Sequence, residues 1–200
     1  MTVRRGEFRL HPAALGPGAQ AELVTAVLAA VTAAPLRQSA TPGGRRMSVA
    51  MSNLGPLGWV TDAAGYRYQS TDPVTGRPWP PMPEEVAALW SRFTGRDDAA
   101  DACLVNLYRE GAKMGLHQDR DEADLTAPVV SVSLGDTAVF RIGGPRRSDP
   151  TRTVRLSSGD VCVLDGSARL AFHGVDRVLS GSSRLIPGGG RLNLTLRRAG

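Results

Sequence analysis

Several residue types that define common protein classes are scarce in this chain. Its 200 residues contain only two cysteines, Cys103 and Cys162, which lie far apart and form no CxxC pair. Their spacing argues against a zinc knuckle and a secreted disulfide scaffold and favours a reducing cytoplasm. No apolar run approaches the roughly 20 residues that a membrane-spanning helix needs. We therefore expect a cytoplasmic protein with no signal peptide and no membrane segment.

Lysine is almost absent, although the chain is basic overall. Its 24 basic residues are 23 arginines and Lys113, and they exceed the 19 acidic residues to give a net charge of +5. A basic surface favours a nucleic-acid partner. However, genome composition can also favour arginine in a chain this rich in Ala, Gly and Pro, so charge carries only part of the prediction.

The remaining composition is typical of one compact domain. Hydrophobic residues make up 42% of the chain and charged residues 22%, a balance that excludes wholesale disorder. The length suits a single domain over residues 1–200, and the sequence shows no internal repeat or low-complexity linker. We expect a monomer with no obligate protein partner.

The order of local patterns predicts a mainly β protein with N-terminal helices. Apolar residues at helical spacing predict a helix over 20–34, and Pro83-Glu84-Glu85 begins a second one that runs to about Phe93. Residues 41–83 are rich in Pro and Gly and carry large apolar side chains, which is typical of a lid, a binding surface or ordinary packed loops. Short apolar runs after residue 102 predict an all-β sandwich or barrel, with strands over 103–108, 128–134, 138–142, 152–156, 160–164 and 192–196.

Histidine is rare enough that each copy can be considered in turn. His11 precedes a proline near the terminus and is assigned no role. His117 and Asp119 are two residues apart, so in an extended backbone their side chains point the same way and can meet one ion. His173 is the remaining histidine that could complete the set. Two imidazoles and one carboxylate form the facial triad of non-haem Fe(II) oxygenases, although a lone His-Xaa-Asp is common by chance.

The last predicted strand places two arginines on one face. Arg191, Asn193, Thr195 and Arg197 alternate with leucines. A solvent-facing strand is the ordinary interpretation of such a pattern, but arginine forks bind carboxylates in a bidentate manner. Two of them near an iron site suit a dicarboxylate. Polar pairs also alternate on other strands, as expected for a barrel that holds a polar cosubstrate in its interior; these pairs are Asn106 with Tyr108, and Ser131 with Ser133.

These motifs together resemble the AlkB family of Fe(II)/2-oxoglutarate dioxygenases, which repair alkylated nucleic acid. The resemblance runs from about Arg37 to Gly200 and rests on the order of its motifs: Thr41-Pro42-Gly43-Gly44, Met47 to Trp59, Asn106-Leu107-Tyr108, His117 to Glu122, Ser131 to Gly135, Gly159-Asp160-Val161, Arg169, His173-Gly174 and Arg191 to Arg197. It implies a double-stranded β-helix, or jelly roll, over 102–200 with a nucleotide-recognition lid over 37–83. Residues 1–36 would form an N-terminal helical segment, and 84–101 a supporting helix.

The resemblance also implies the role of each matching residue. His117, Asp119 and His173 would hold Fe(II), which uses 2-oxoglutarate and O2 as cosubstrates. Arg191 would pair with the distal carboxylate of 2-oxoglutarate, Arg197 would lie near its C1 carboxylate, and Asn106, Tyr108 and Asn193 would complete the pocket. Substrate contacts would come from four residues: Trp59, which would stack on the flipped base, Tyr66 and Arg147, which would touch nucleic acid, and Asp121, which would face the damaged base.

The implied activity is oxidative demethylation of bases such as 1-methyladenine and 3-methylcytosine in DNA or RNA. Two alternatives remain open at this level: an iron- and 2-oxoglutarate-dependent hydroxylase of a protein or small molecule, and a metal-free nucleic-acid-binding β-barrel. One departure concerns Leu164 and Ala171, which stand where the bacterial pattern has larger aromatic groups. We expect a roomier pocket there, with consequences for the range of lesions.

Overall fold

The computed structural model describes residues 8–200, in which β-strands predominate over two α-helices. The helices are α1 (Pro17–Ala30) and α2 (Glu84–Thr94), and a short 3₁₀ turn spans Gly166–Ala168. The strands are β1 (Arg9–His11), β2 (Ala50–Leu54), β3 (Gly58–Asp62), β4 (Gly65–Gln69), β5 (Ala102–Tyr108), β6 (Met114–His117), β7 (Val129–Gly135), β8 (Thr137–Ile142), β9 (Arg152–Leu156), β10 (Val161–Leu164), β11 (His173–Leu179) and β12 (Arg191–Arg197). Neither α-helix has the length and apolar character that crossing a bilayer requires.

Two antiparallel sheets form the body of the fold, and a separate hairpin accompanies them. The larger sheet has the order β1-β10-β7-β12-β5-β2, and the smaller sheet has the order β6-β11-β8-β9. Strands β3 and β4 pair only with each other. The order β10-β7-β12-β5 brings strands that are distant in sequence into contact, as expected of a jelly roll. The predicted mainly β fold with helices and a double-stranded β-helix core is confirmed.

The two faces of the larger sheet pack against different partners. One face is apolar and packs on both helices, with Val27 of α1 and Trp90 of α2 among the buried residues of that cluster. The opposite face meets the smaller sheet, where Phe140 and Val175 contribute to a second cluster. Because neighbouring residues of a strand point to opposite faces, the alternation in β12 sends its leucines to the helices and its polar residues to the space between the sheets.

Local sequence explains where the two helices begin and end. Pro17 occupies the first turn of α1, where its fixed φ suits the helix and its missing N–H costs nothing. Glu84 and Glu85 lie in the first turn of α2, where carboxylates complement the helix dipole. The second helix ends at Gly95, whose φ of +70° is a left-handed conformation that favours glycine. The helix predicted over 20–34 therefore begins three residues earlier and ends four residues earlier than expected.

The segment 41–83 contains more regular structure than its composition suggested. It holds the hairpin β3–β4 as well as β2, which pairs with β5 at the edge of the larger sheet. Strands β1, β6 and β11 were also missed. Strand β6 is only four residues long, and the register of β11 is interrupted by irregularities. Such strands depend on pairing with distant partners, which local periodicity does not record.

Candidate active site

Two histidines and one aspartate meet where β6 and β11 run side by side. His117 ends β6 and His173 begins β11, and the antiparallel register places them opposite each other. Asp119 follows two residues after His117 and is buried. One ligand atom from each of the three residues lies within 4.8 Å of the other two. The three residues predicted as iron ligands therefore converge in the folded chain.

Hydrogen bonds orient both imidazoles toward the carboxylate. The Nδ1 atoms of His117 and His173 donate to the carbonyl oxygens of Gly115 and Ala171, each at 2.9 Å. Each Nε2 is then left with a free lone pair, at 3.7 Å and 3.8 Å respectively from oxygens of Asp119. Proteins commonly fix the tautomer of a metal-binding histidine in this way. Two nitrogens and one carboxylate fit Fe(II) and leave coordination positions open for other ligands.

Electrostatics hold His173 and Asp119 in the protonation states that bind a metal ion. Burial, reinforced by His117, lowers the pKa of His173 to about 4. Burial by itself would raise the pKa of Asp119, but the charges of Arg197, His173 and His117 outweigh it and hold that pKa well below its usual range. At neutral pH His173 is therefore neutral and Asp119 is ionised, which are the forms that bind a metal cation.

Arg191, at the start of β12, is a buried cation without a carboxylate partner among the described residues. Its side chain is held by Ser133, whose Oγ accepts from Nη2 at 3.0 Å, and by the Tyr108 ring, whose centroid lies 5.3 Å from the guanidinium carbon. Its Nε and Nη1 find no acceptor in the described part of the chain, and burial lowers its pKa. Because an unpaired buried charge is costly, this environment fits a carboxylate of 2-oxoglutarate.

Arg197, at the other end of β12, already contacts acids. Its Nη2 donates to Asp119 Oδ2 at 2.8 Å, and its Nε lies 3.1 Å from Glu122 Oε1. Neither Nε nor Nη1 makes a hydrogen bond among residues 8–200, so the contact of Nε with Glu122 is an ion pair only. The free Nη1 and the position of Arg197 on the cavity wall fit a second carboxylate close to the iron ligands.

Asparagines fill the polar face between these arginines. Asn193 Nδ2 donates to Ser131 Oγ at 2.8 Å and to the Val132 carbonyl at 3.0 Å. Asn193 Oδ1 accepts from Asn106 Nδ2 at 3.3 Å and from Thr195 Oγ1 at 3.1 Å. All seven residues of β12 are buried, so the solvent-facing interpretation of this strand is wrong. The polar residues line the interior between the two sheets, as expected for a polar cosubstrate.

The hairpin β3–β4 supplies aromatic side chains to the wall of a cavity of about 1070 Å³, which His117 and Asp119 also line. The rings of Trp59 and Tyr66 stack with centroids 5.5 Å apart and planes at 15°. Trp59 Nε1 donates to Asp121 Oδ2 at 2.8 Å. The structure therefore brings three of the four predicted substrate contacts together at the cavity.

Arg147 is the fourth predicted substrate contact, and it reaches the same cavity from the loop after β8. Its Nη1 donates to the Leu116 carbonyl at 2.9 Å, and its guanidinium carbon lies 5.7 Å from the Phe172 ring centroid. Neither contact neutralises its charge, and the residue is exposed. Arg147 is therefore positioned beside the iron ligands while remaining available to an anion.

Comparisons with known proteins agree with this geometry. The family model of the 2OG-Fe(II) oxygenase superfamily matches residues 7–197. The Alpha-ketoglutarate-dependent dioxygenase AlkB homolog of Caulobacter vibrioides is 62% identical over 199 residues, covering 100% of this chain and 90% of that protein. The chain belongs to the AlkB family. The Alpha-ketoglutarate-dependent dioxygenase AlkB of Escherichia coli is 49% identical to this AlkB-family chain over 170 residues, which cover 83% of this chain and 78% of that protein.

A solved structure also matches this AlkB-family protein along its length. The structure titled "The structure of OsALKBH1" superposes with a TM-score of 0.76 at 31% identity, covering 98% of this chain and 100% of that chain. The protein is therefore an iron(II)- and 2-oxoglutarate-dependent dioxygenase, with O2 as its other cosubstrate. The alternative of a metal-free nucleic-acid-binding barrel is wrong.

Four further cations of this AlkB-family protein line the cavity and were missed by the sequence interpretation. All are exposed, and none has a carboxylate partner among the described residues; they are Arg45, Arg46, Lys113 and Arg120. The arginine pair after the Pro-Gly-Gly turn was a usable signal, because adjacent cations in an exposed turn are typical of phosphate contacts. Lys113 carried no such signal, since only the fold places it beside the cavity.

Leu164 and Ala171 lie in the same buried cluster as Tyr108, and the Ala171 carbonyl accepts from His173. Both are almost fully buried in the cluster between the sheets, at 1% and 2% exposure, and neither lines the cavity. Phe8 packs against the same cluster and stacks on Phe140, which in turn lies 5.7 Å from the His173 ring. The roomier pocket at these two positions stays a prediction, and their location ties it to the cosubstrate side of the site.

Proposed function

We propose that this dioxygenase demethylates N-alkylated bases of the 1-methyladenine and 3-methylcytosine type in DNA or RNA. Overall, O2 and 2-oxoglutarate are converted to succinate and carbon dioxide while the N-methyl carbon is hydroxylated. The hydroxymethyl product then releases formaldehyde and leaves the unmodified base. Bound Fe(II) supplies the oxidising chemistry, with His117, Asp119 and His173 proposed as its ligands. Arg191, Arg197, Asn106, Tyr108 and Asn193 are proposed to bind 2-oxoglutarate.

The observation that carries this proposal is that the aromatic hairpin β3–β4 of the lid lies on the wall of the iron-site cavity. Trp59 lines the same cavity as His117 and Asp119 and is already held in place by its contacts with Tyr66 and Asp121. An exposed aromatic face stacks on any nucleobase, and such stacking is worth about 1–3 kcal/mol per base. A base extruded from a strand can therefore be held on the lid within reach of the iron ligands.

The cations around the cavity support a nucleic-acid substrate over a protein or small molecule. Five exposed basic side chains line it without carboxylate partners among residues 8–200: Arg45, Arg46, Lys113, Arg120 and Arg147. Several unpaired cations lining one cavity suit a polyanion, because each phosphate contact releases condensed counterions. Asp121 provides an acid close to Trp59, which favours a base that carries positive charge.

We further propose that the enzyme acts as a monomer in the cytoplasm. A single chain supplies the triad, both arginines and the lid. Cys103 and Cys162 are both unpaired and buried, as suits a reducing compartment. Burial raises the pKa of Cys103 to about 12 and that of Cys162 to about 11, so both thiols stay protonated and unreactive.

A formaldehyde-release assay over a panel of methylated oligonucleotides tests the proposed function. With Fe(II) and 2-oxoglutarate present, we expect formaldehyde and succinate in equal amounts from oligonucleotides that contain 1-methyladenine or 3-methylcytosine. We expect no formaldehyde from the unmethylated strand. Succinate formation that responds to a protein or small molecule but to none of these oligonucleotides would show that the target is wrong.

The same panel with Asp121→Asn tests whether Asp121 recognises the positive charge of a lesion or only supports the structure of its loop. Asparagine keeps the acceptor for Trp59 Nε1 but removes the charge beside the lesion. We expect kcat/KM for a cationic lesion to fall about fivefold relative to a neutral lesion, as an exposed charge pair of about 1 kcal/mol predicts. Asp124→Asn is the matched control, because Asp124 lies on the same loop and outside the cavity lining. An unchanged ratio in Asp121→Asn would leave Asp121 only a structural role in the loop.

Salt dependence distinguishes phosphate contacts from base stacking. We expect Arg147→Ala to weaken binding of all oligonucleotides alike and to reduce the slope of log affinity against log salt by about one unit. Trp59→Ala should instead impair turnover of methylated bases with little change in slope, because stacking releases no counterions. Equal slopes for wild type and Arg147→Ala would exclude a phosphate contact at Arg147.

A further inference from the structure

The lid is joined to the iron-binding loop at a second point that neither the sequence nor the proposed reaction assigns a role. Tyr68 lies on β4 and donates from its hydroxyl to Glu122 Oε1 at 2.8 Å. We propose that Tyr68, Glu122 and Arg197 form a positioning relay through which nucleic acid on the lid tightens the binding of 2-oxoglutarate. The inference rests on the proposed function, since it requires nucleic acid to occupy the lid.

Glu122 is the centre of the relay because one hydroxyl and two guanidinium groups lie against its carboxylate. Besides Tyr68, it contacts Arg197 Nε at 3.1 Å and Arg169 Nη2 at 3.2 Å. Its side chain is only 2% exposed. Arg169 also donates to the carbonyl oxygen of Asp119. Interactions with a charged group are strong in such an environment, so Glu122 is one of the anchors that position both guanidinium groups, together with Asp119 and the Ala127 carbonyl.

The relay continues from Arg197 to an iron ligand. Arg197 Nη2 donates to Asp119 Oδ2 at 2.8 Å, while its Nη1 remains without an acceptor in the described chain. The charges of this buried cluster balance, with Asp119 and Glu122 opposing Arg169 and Arg197. A cosubstrate carboxylate can bind Arg197 only while the free Nη1 faces the cavity. If the guanidinium moves closer to Glu122, that donor is lost to the cosubstrate.

Tyr68 controls how strongly Glu122 holds Arg197. Burial raises the pKa of Tyr68 well above its ordinary value, so its hydroxyl stays protonated and donates to Glu122. While that bond is made, Oε1 accepts from Tyr68 and lies 3.1 Å from Arg197 Nε as an ion pair without a hydrogen bond. If the bond is lost, Glu122 retains only the guanidinium donors and competes more strongly with a cosubstrate carboxylate for Arg197.

The residue proposed to stack on the base, Trp59, and Tyr68 lie side by side on the hairpin, so a base bound to Trp59 affects Tyr68 directly. Trp59 and Tyr68 are direct partners in the β3–β4 register, so their side chains share the face that looks onto the cavity. The hairpin pairs with no other strand of the described chain, so side-chain contacts such as the bond from Tyr68 to Glu122 help to hold it in place. In the proposed relay, a base stacked on Trp59 fixes the hairpin and holds Tyr68 against Glu122. 2-Oxoglutarate then binds more tightly, because less conformational entropy is lost when it binds.

Calorimetry under anaerobic conditions tests the relay on the Fe(II)-loaded enzyme without turnover. We expect the dissociation constant of 2-oxoglutarate to fall at least about fivefold when a 1-methyladenine oligonucleotide is present, the lower end of typical coupling between sites. In Tyr68→Phe, which removes one hydroxyl, both ligands should still bind, but this ratio should fall to about one. Thr61→Val is the matched control, because it removes a hydroxyl of the same hairpin that donates to the Ala40 carbonyl and not to Glu122, and it should keep the ratio.

Two further measurements keep the test decisive. Reciprocity requires 2-oxoglutarate to tighten oligonucleotide binding to the wild-type enzyme by the same factor, which needs no variant. If Tyr68→Phe does not fold, Glu122→Gln is measured instead, and the ratio of 2-oxoglutarate dissociation constants without and with oligonucleotide should fall to about one. Equal affinities for 2-oxoglutarate with and without bound oligonucleotide, or a wild-type ratio in Tyr68→Phe, would overturn the relay.

The outcomes also separate this inference from the proposed function. An enzyme that demethylates the oligonucleotide panel but shows no coupling would overturn the relay and leave the proposed function standing. An enzyme that neither binds nor demethylates the methylated oligonucleotides would overturn both, and the formaldehyde assay would identify the choice of substrate as the error.

Discussion

We expect His117→Ala to lower turnover at least ~100-fold while the protein stays folded. Loss of even an outer partner of a metal site commonly costs 10–100-fold in metal affinity or activity, and His117 is proposed as one of three protein ligands. Its side chain is 40% exposed, so its removal should change the free energy of unfolding by only about 1 kcal/mol. Bound iron and the rate of succinate formation are measured on the same preparation.

A matched control is available because the chain has one histidine outside the triad. His11→Ala should keep iron content and turnover, since His11 lies on β1 and packs against Phe93. Asp119→Ala is a less clean test, because it leaves buried Arg197 without its closest carboxylate and should destabilise the fold by about 3–5 kcal/mol. Wild-type iron content and turnover in His117→Ala would disprove the triad assignment.

Arg191→Met should raise the KM for 2-oxoglutarate about 10- to 150-fold. This range corresponds to the loss of a hydrogen-bonded charge worth about 1.5–3 kcal/mol. Because Arg191 is buried with two unsatisfied donors, an apolar side chain of similar volume should also raise the thermal midpoint of the cosubstrate-free protein. The increase in thermal midpoint that 2-oxoglutarate confers on the wild type should be lost. The variant is therefore expected to be more stable without cosubstrate and to bind 2-oxoglutarate more weakly.

Two comparisons make the Arg191 prediction specific. Arg191→Lys should recover only part of the affinity, because an ammonium group cannot reproduce the planar fork of arginine. Arg155→Met removes an exposed arginine from β9 and should leave the KM unchanged. A KM for 2-oxoglutarate that stays at the wild-type value in both Arg191 variants would remove this residue from the cosubstrate site.

The regular elements of the β core were predictable because their signal is local. Runs such as Cys103 to Tyr108 and Arg152 to Leu156 combine β-forming residues with turn residues at both ends, and the structure places strands there. Strand β6 gives no such signal, since Met114 to His117 is short and contains a glycine. It exists because β11 pairs with it, and pairing between distant segments is invisible to periodicity.

The proposed ligands of the active site could be named from the sequence because chemistry limits the choice. The chain has three histidines, one His-Xaa-Asp and one strand with two arginines, and the AlkB resemblance assigns a role to each of these motif positions. The contacts that tune the site could not be named in the same way. Tyr68 and Glu122 are 54 positions apart, and nothing in either local pattern indicates that a lid tyrosine meets an acid beside the iron ligands.

The sequence by itself therefore determined the fold class, the AlkB resemblance and the residues proposed for chemistry, since each depends on residue type and short spacing. Only the tertiary structure decided which side chains meet. It buried Arg191 without a carboxylate partner among the described residues, drew Lys113 and Arg120 to one cavity, and placed Leu164 and Ala171 in one cluster with Tyr108. The physical reason is that burial and pairing are properties of the packed sheets: strands far apart in the chain set the surroundings of each side chain, and those surroundings decide whether a charge is neutralised or left for a ligand.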